Sequence, residues 1–172
     1  TGRAWCWEIA SPPSGQPVCV FTVQRDRVAG REWSDDRIYY YYARRTGSQW
    51  QKRFIAHAGR PLYQSEADYA GGICLAPQDP KVIYISSNAA DPFNLGDTAR
   101  VPLRESARYE LWRGVTDDGG LTFRWTPVTE NSDKDNLRPY VPRRQGGPAS
   151  VLWFRGTYRS YTNYDCEIVG LF

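Results

Sequence analysis

The chain has 172 residues, with 22 Lys and Arg against 19 Asp and Glu, and its net charge of +3 is too small and too scattered to argue for a nucleic-acid partner. Aromatic residues make up 15% of it, with 15 Gly and 12 Pro, a mixture that suits strands and turns. No stretch sustains the i, i+3, i+4, i+7 apolar spacing of a helix, no apolar run approaches membrane-spanning length, and no signal peptide is seen. The length suits one domain with a core of its own. Methionine is absent, so a chain starting at Thr1 reads as processed, trimmed or part of a longer one.

Taken in order, the chain gives short strands and turns. Ala4-Trp5-Cys6-Trp7-Glu8-Ile9 alternates with period two. Pro12-Pro13-Ser14-Gly15 turns it into Pro17–Val23, a nearly continuous apolar strand of the kind buried on both faces. A polar loop from Gln24 to Asp36 follows, then Arg37–Arg44 with its run of four tyrosines, the turn Thr46-Gly47-Ser48, and Trp50–Ala56. Four short antiparallel strands in series make one propeller-type blade. Alternate tyrosines of Tyr39–Tyr42 face opposite sides, which suits packing between blades.

The pattern then recurs. Gly71–Ala76 and Lys81–Ser86 flank the turn Pro77-Gln78-Asp79-Pro80, and a polar insertion runs from Asn88 to Arg104. Tyr109–Arg113 and Phe123–Trp125 enclose Thr116-Asp117-Asp118-Gly119-Gly120-Leu121-Thr122-Phe123. A third unit contains Asn136–Pro142, Ala149–Arg155 and Tyr164–Gly170. Ser14–Val18, Gln78–Val82 and Gln145–Pro148 align, a spacing of about 55–60 residues that marks a stacked array. The expected architecture is all-β, with about three β-propeller-type blades of four antiparallel strands, in units of roughly 1–58, 59–130 and 131–172. Such a set is either part of a larger propeller or closed by oligomerisation, because open blade faces and edges are costly.

The 116–123 stretch reads as Ser/Thr-x-Asp-x-Gly-x-Thr-aromatic. Asp118 is placed to accept backbone N–H bonds within a tight turn, Gly119 and Gly120 supply positive φ, and Thr116 and Thr122 tie its ends. This pattern resembles an Asp box. Together with Ala76–Ser86 and Arg138-Pro139, it makes the chain similar to the BNR/Asp-box propellers of the sialidase-like superfamily, and most similar to those found among carbohydrate-active enzymes, propeller polysaccharide lyases included. The resemblance implies polysaccharide degradation, by lyase-type cleavage of an acidic, uronate-containing glycan. It also implies a structural role for Asp118 and Thr122. Arg138 resembles the Arg of the sialidase Arg-Ile-Pro motif, with the Ile missing and the motif late in the chain.

Uronate elimination needs a cation on the sugar carboxylate, a base for the C5 proton and an acid for the leaving oxygen. The blade-connecting segment 57–69 supplies candidates in His57, Arg60, Tyr63 and Tyr69, with Glu66 and Asp68 as substrate contacts; the propeller lyases that the chain resembles use His and Tyr in these roles. Arg138 on an inner strand, and Arg155, Tyr158 and Tyr161 across the last turn, are further candidate substrate contacts, since Arg grips carboxylates and Tyr stacks on sugar rings. A glycoside hydrolase would instead need two carboxylates at a set separation, from Glu66, Asp68, Glu110 and Asp165. A third reading is a non-catalytic, secreted glycan-binding or self-assembling β protein.

No phosphate loop, Ser-His-Asp arrangement or metal-ligand spacing occurs, so neither cofactor nor metal is expected. The expected partner is an acidic polysaccharide, with no nucleic acid and no membrane, and with self-association or missing blades closing the array. The expected location is extracellular or periplasmic. Cys6, Cys19, Cys74 and Cys166 allow three pairings, and each sits in a strand-like run where a buried free thiol is the alternative to a disulfide.

Overall fold

The computed structural model describes residues 3–12, 15–25, 37–63, 66, 68–96, 105–143 and 151–172. Among these there is no helix. Eleven strands form three antiparallel sheets. The first contains β1 (Arg3–Ala10), β2 (Val18–Arg25), β3 (Arg37–Thr46) and β4 (Gln49–Gly59) in that order. The second contains β5 (Ile73–Ala76), β6 (Asp79–Ala89), β7 (Glu105–Val115) and β8 (Arg124–Pro127), again in chain order. The third has three described strands, β9 (Asp135–Tyr140), β10 (Val151–Ser160) and β11 (Asn163–Leu171), where four are expected of a complete blade. Each is an up-and-down meander, so the all-β, propeller-type expectation holds, and the three sheets do not close into a ring. The turns expected at Pro13-Ser14 and Gln145–Pro148, residues 26–36 and 97–104 of the two polar segments, and Ala149-Ser150 lie outside the described residues.

The sheets stack face to face through their aromatic and aliphatic side chains. Tyr40 and Tyr42 point from β3 into the first interface, beside Ile38, Ile55, Ile73, Leu75, Ile83 and Ile85. The Tyr40 hydroxyl donates to the Ser86 carbonyl at 2.7 Å and accepts from the Gly72 amide at 2.9 Å, so this fully buried group keeps its hydrogen bonds. Tyr39 and Tyr41 point to the opposite face, against Phe54 and Phe21. In the second interface Cys74, Val82 and Tyr84 meet Val141 and Val151. The middle sheet is thereby covered on both sides, which explains why β5 is buried throughout and β6 nearly so, while most of β11 is exposed.

The 116–123 turn joins β7 to β8, the two outer strands of the middle sheet. One Asp118 carboxylate oxygen accepts from the Leu121 and Thr122 amides at 2.9 and 3.0 Å and from the Thr116 hydroxyl at 2.8 Å; the other accepts from the Thr122 hydroxyl at 2.5 Å. The Thr116 hydroxyl also accepts from the Gly120 amide at 2.8 Å. These donors hold the Asp118 carboxyl well below the usual carboxylate range. Gly119 and Gly120 have φ of 76° and 92°, and the Tyr42 ring occupies the space a Gly120 side chain would need. The turn is thus clamped to the first sheet, where Phe123 meets Tyr42 edge to face at 5.4 Å.

Gly120→Ala meets both a positive φ and a ring, so it is expected to lower stability by about 2 kcal/mol or more, read as a lower urea midpoint at unchanged m. Gly47→Ala is the control. It shares a positive φ of 60° but has open space around it, so only the backbone cost of about 1 kcal/mol is expected.

Candidate functional site

The first strands of the sheets, β1, β5 and β9, follow one another around the inner side of the array. A cleft of about 440 Å³ opens beside them, lined by Trp5, Cys6 and Trp7 of β1, Glu66 and Tyr69 of the β4–β5 connection, Arg138 of β9 and Tyr161 of the β10–β11 turn. An apolar trench of about 530 Å³ adjoins it, sharing Trp7 and Arg138.

Arg138 is aimed into the cleft by an irregularity in β9. Leu137 pairs with Phe154 but Tyr140 with Leu152, so Arg138 and Pro139 together oppose one residue of β10. Such a bulge re-aims a side chain. Arg138 itself adopts a φ of 54°, uncommon for a residue with a Cβ. The strained backbone is held by a 2.6 Å hydrogen bond from the Arg138 amide to the Gly71 carbonyl and by close packing on Gly72. Strain of this kind collects at functional sites.

The Arg138 guanidinium lies between two tyrosines. It donates through Nη1 to the Tyr158 hydroxyl at 3.3 Å and through Nη2 to the Tyr69 hydroxyl, with Cζ 5.3 Å from the Tyr69 ring centre and 5.7 Å from that of Tyr158. Both contacts use the ring quadrupole as well as the oxygen. The Tyr63 ring packs on Tyr69 and Tyr158, and Trp5 and Trp7 flank Tyr69 from the other side. The buried Tyr63 hydroxyl has no hydrogen-bond partner among the described residues. Burial pushes the Tyr69 hydroxyl up to about 12 against the opposing pull of Arg138. Burial and the nearby Glu66 carboxylate push Tyr63 higher still.

The structure therefore brings together six of the residues singled out by sequence: Tyr63, Glu66, Tyr69, Arg138, Tyr158 and Tyr161. It sets the others apart. His57 lies within β4 rather than just past it, opposite Tyr39. Its ring is 2% exposed, packed on Tyr39 and Phe54, and Nε2 lies 3.0 Å from the Asn94 carbonyl. None of these neighbours lines the cleft. The carbonyl contact assigns the proton to Nε2, leaving Nδ1 buried without a partner, and burial lowers the ring's pKa. Arg60 is fixed through its backbone, whose amide donates to Asn88 and whose carbonyl accepts from Tyr109. Asp68 lies 3.6 Å from Arg3. Arg155 forms ion pairs with Asp133 at 2.6 Å and Glu167 at 2.9 Å. Of the four carboxylates considered for hydrolysis, only Glu66 lines the cleft. Glu110 instead accepts from Thr129 and Ser132 and fixes the turn after β8.

Sequence reasoning missed Trp5 and Trp7, whose signal was the Trp-x-Trp alternation of β1 beside an inner edge. It also missed Glu8. That carboxylate accepts from the Leu75 amide at 2.8 Å, joining β1 to β5, and burial raises its pKa. No group of three or more metal-ligating side chains occurs among the described residues. No protein-family model, curated protein or solved structure matches the chain.

His57 generates a pH prediction. Its folded pKa is lowered from 6.5, so the unfolded chain binds the extra proton more readily. Its effect on stability is therefore constant above the unfolded value. Stability is lost as pH falls below about 6.5 toward the depressed folded pKa. Urea midpoints measured from pH 7.5 to 5 should fall, and His57→Phe, which keeps an aromatic ring and cannot protonate, should flatten that part of the decline.

Proposed function

We propose that this is a carbohydrate-active protein related to the Asp-box propellers, and that its cleft takes an acidic, uronate-containing glycan for lyase-type cleavage. The observation that carries this reading is the Arg138 guanidinium held between the Tyr69 and Tyr158 hydroxyls at the wall of an aromatic cleft. The hydrogen bonds around Asp118 support the relationship, because they are those the Asp-box pattern calls for. An acidic polysaccharide is the partner on this reading, and the extracellular space or periplasm is where it would be met.

The chemistry follows from the side chains. A sugar carboxylate placed on Arg138 has its charge balanced, which makes the C5 proton easier to remove. Tyr69, hydrogen-bonded to the same guanidinium, is the group to take that proton as a phenolate. The C5–H and C4–O bonds break, a C4–C5 double bond forms, and the departing O4 takes a proton from a tyrosine hydroxyl or water. Trp5, Trp7 and Tyr161 supply ring faces for neighbouring sugars.

Two observations favour a second reading, a glycan-binding module without catalysis. The chain's sole histidine lies outside the cleft, and the Tyr69 hydroxyl is pushed up to about 12, so phenolate is scarce near neutrality. The two readings separate by pH. If Tyr69 is the base, cleavage of a uronate polysaccharide, followed as the unsaturated product's absorbance near 235 nm, should rise about tenfold per unit between roughly pH 7 and 10. Tyr69→Phe should abolish it while retaining binding. Arg138→Ala should weaken binding about tenfold or more. Binding that Arg138→Ala removes, with no product at any pH, would establish the binding module instead.

A further inference from the structure

Cys6 in β1 and Cys19 in β2 bring their sulfur atoms to 3.6 Å. The ladder pairs Cys6 with Phe21 and Cys19 with Ile9, a diagonal relation that a regular pair of strands would hold farther apart. The irregularity between Cys6 and Glu8 changes this, because the extra residue, Trp7, bends β1 and leans Cys6 toward its partner. Cys6 is exposed and Cys19 half-buried, whereas Cys74 is buried in the core. A small oxidant reaches the pair from solvent.

We infer that Cys6 and Cys19 form a reactive dithiol that closes to an intrachain disulfide when it meets a small-molecule disulfide such as oxidised glutathione. The Cys6 thiolate attacks one sulfur of the oxidant and expels one glutathione thiolate. The Cys19 thiolate then attacks the Cys6 sulfur and expels the second. Two thiols lose two protons and two electrons, and the oxidant leaves as two glutathione thiols. The order follows from the surroundings. Burial, and then the neighbouring Cys6, push the Cys19 thiol up to about 12, so the exposed Cys6 reacts first. Once the Cys6 sulfur carries glutathione it has no thiolate charge, and that obstacle to ionising Cys19 is gone. The sulfur atoms already lie 3.6 Å apart, and bond formation draws them together to about 2.05 Å.

The bond would cross-link residues 13 apart in sequence and fasten β1 to β2. Because β1 carries Trp5 and Trp7, the same bond braces one wall of the cleft.

The test exploits the sequence. Trypsin cuts after Arg3 and Arg25 with no Lys or Arg between, so both cysteines fall in the peptide Ala4–Arg25. The native protein is incubated with oxidised glutathione, alkylated with iodoacetamide, digested and weighed. The expected wild-type peptide carries no alkyl group and is lighter than the dithiol by the mass of two hydrogens. Cys19→Ser should trap a stable glutathione adduct on Cys6, and Cys6→Ser should leave Cys19 mainly alkylated. Oxidation should raise Tm by about 5–10 °C in wild type, with no rise in Cys6→Ser. The proposal is overturned if wild-type Ala4–Arg25 stays doubly alkylated, retains glutathione, or is found linked to Cys166 or to another chain. An unchanged Tm in the oxidised protein overturns the bracing of β1.

Discussion

Three sheets with apolar faces can stack in many ways; a short run of buried hydrogen bonds fixes one. Its centre is Gly71-Gly72, just before β5. The Gly72 amide donates to the Tyr40 hydroxyl of the first sheet, and that hydroxyl donates on to the Ser86 carbonyl of the second. The Gly71 carbonyl accepts from the Arg138 amide of the third, while the Ser86 hydroxyl donates to the Asn136 carbonyl at 2.5 Å. Each sheet is therefore tied to the next through groups with no water to replace a lost partner, and loss of one leaves a buried polar atom bare. Burial pushes the Tyr40 hydroxyl well above its ordinary pKa, which keeps it a neutral donor and acceptor. Both glycines are constrained: Ser86 and Tyr109 fill the space a side chain would need at Gly71, and Gly72 has a φ of 118° with the Arg138 backbone 3.0 Å from where a Cβ would sit.

The same constraint builds the cleft. The backbone that closes on Gly72 is the one that takes positive φ at Arg138, so docking the third sheet onto the second also turns the guanidinium toward Tyr69 and Tyr158. Tyr69 comes from the connection between the first two sheets, Tyr158 from the third, and Trp5 and Trp7 from the first. No single sheet contains the site. The Arg138 guanidinium sits against ring faces and hydroxyls, with no carboxylate among its hydrogen-bond partners in the described residues, unlike Arg155, which lies between Asp133 and Glu167. That difference in company, rather than residue type, separates an arginine suited to an anionic ligand from one already neutralised.

Much of this was legible in the sequence because it is short-range. Period-two alternation placed the strands, and the spacing of Thr116, Asp118, Gly120 and Thr122 placed a turn whose hydrogen bonds span only a few residues. The segment 57–69 was legible as polar and aromatic, yet its residues part company. Glu66 and Tyr69 line the cleft and Tyr63 packs behind Tyr69, while His57 continues the alternation of β4 and is buried among Tyr39 and Phe54. Composition cannot make that distinction, since a histidine ring packs as an aromatic as readily as it titrates. The Arg138–Tyr69 contact spans 69 residues and depends on a bulge and on sheet docking, neither of which a local pattern records. Trp5 and Trp7 read as strand residues; only the placement of β1 on the inner side gives them a further use.

Burial is graded across the array. The middle sheet is sealed by a neighbour on each face, and the polar run through Gly71-Gly72 crosses it. The third sheet has one docked face and one that leaves Ile168 69% and Phe172 83% exposed. Local opening takes the route that uncovers least apolar surface and breaks fewest buried hydrogen bonds. β11 is a mostly exposed edge strand whose loss leaves the Gly71–Arg138 contact in place. Tyr158 belongs to the adjoining β10 and relies on its packing against Tyr63 and its bond from Arg138, rather than on β11 alone. The cleft is thus anchored to the most deeply buried part of the array, although one of its walls, the Tyr161 turn, belongs to an exposed edge.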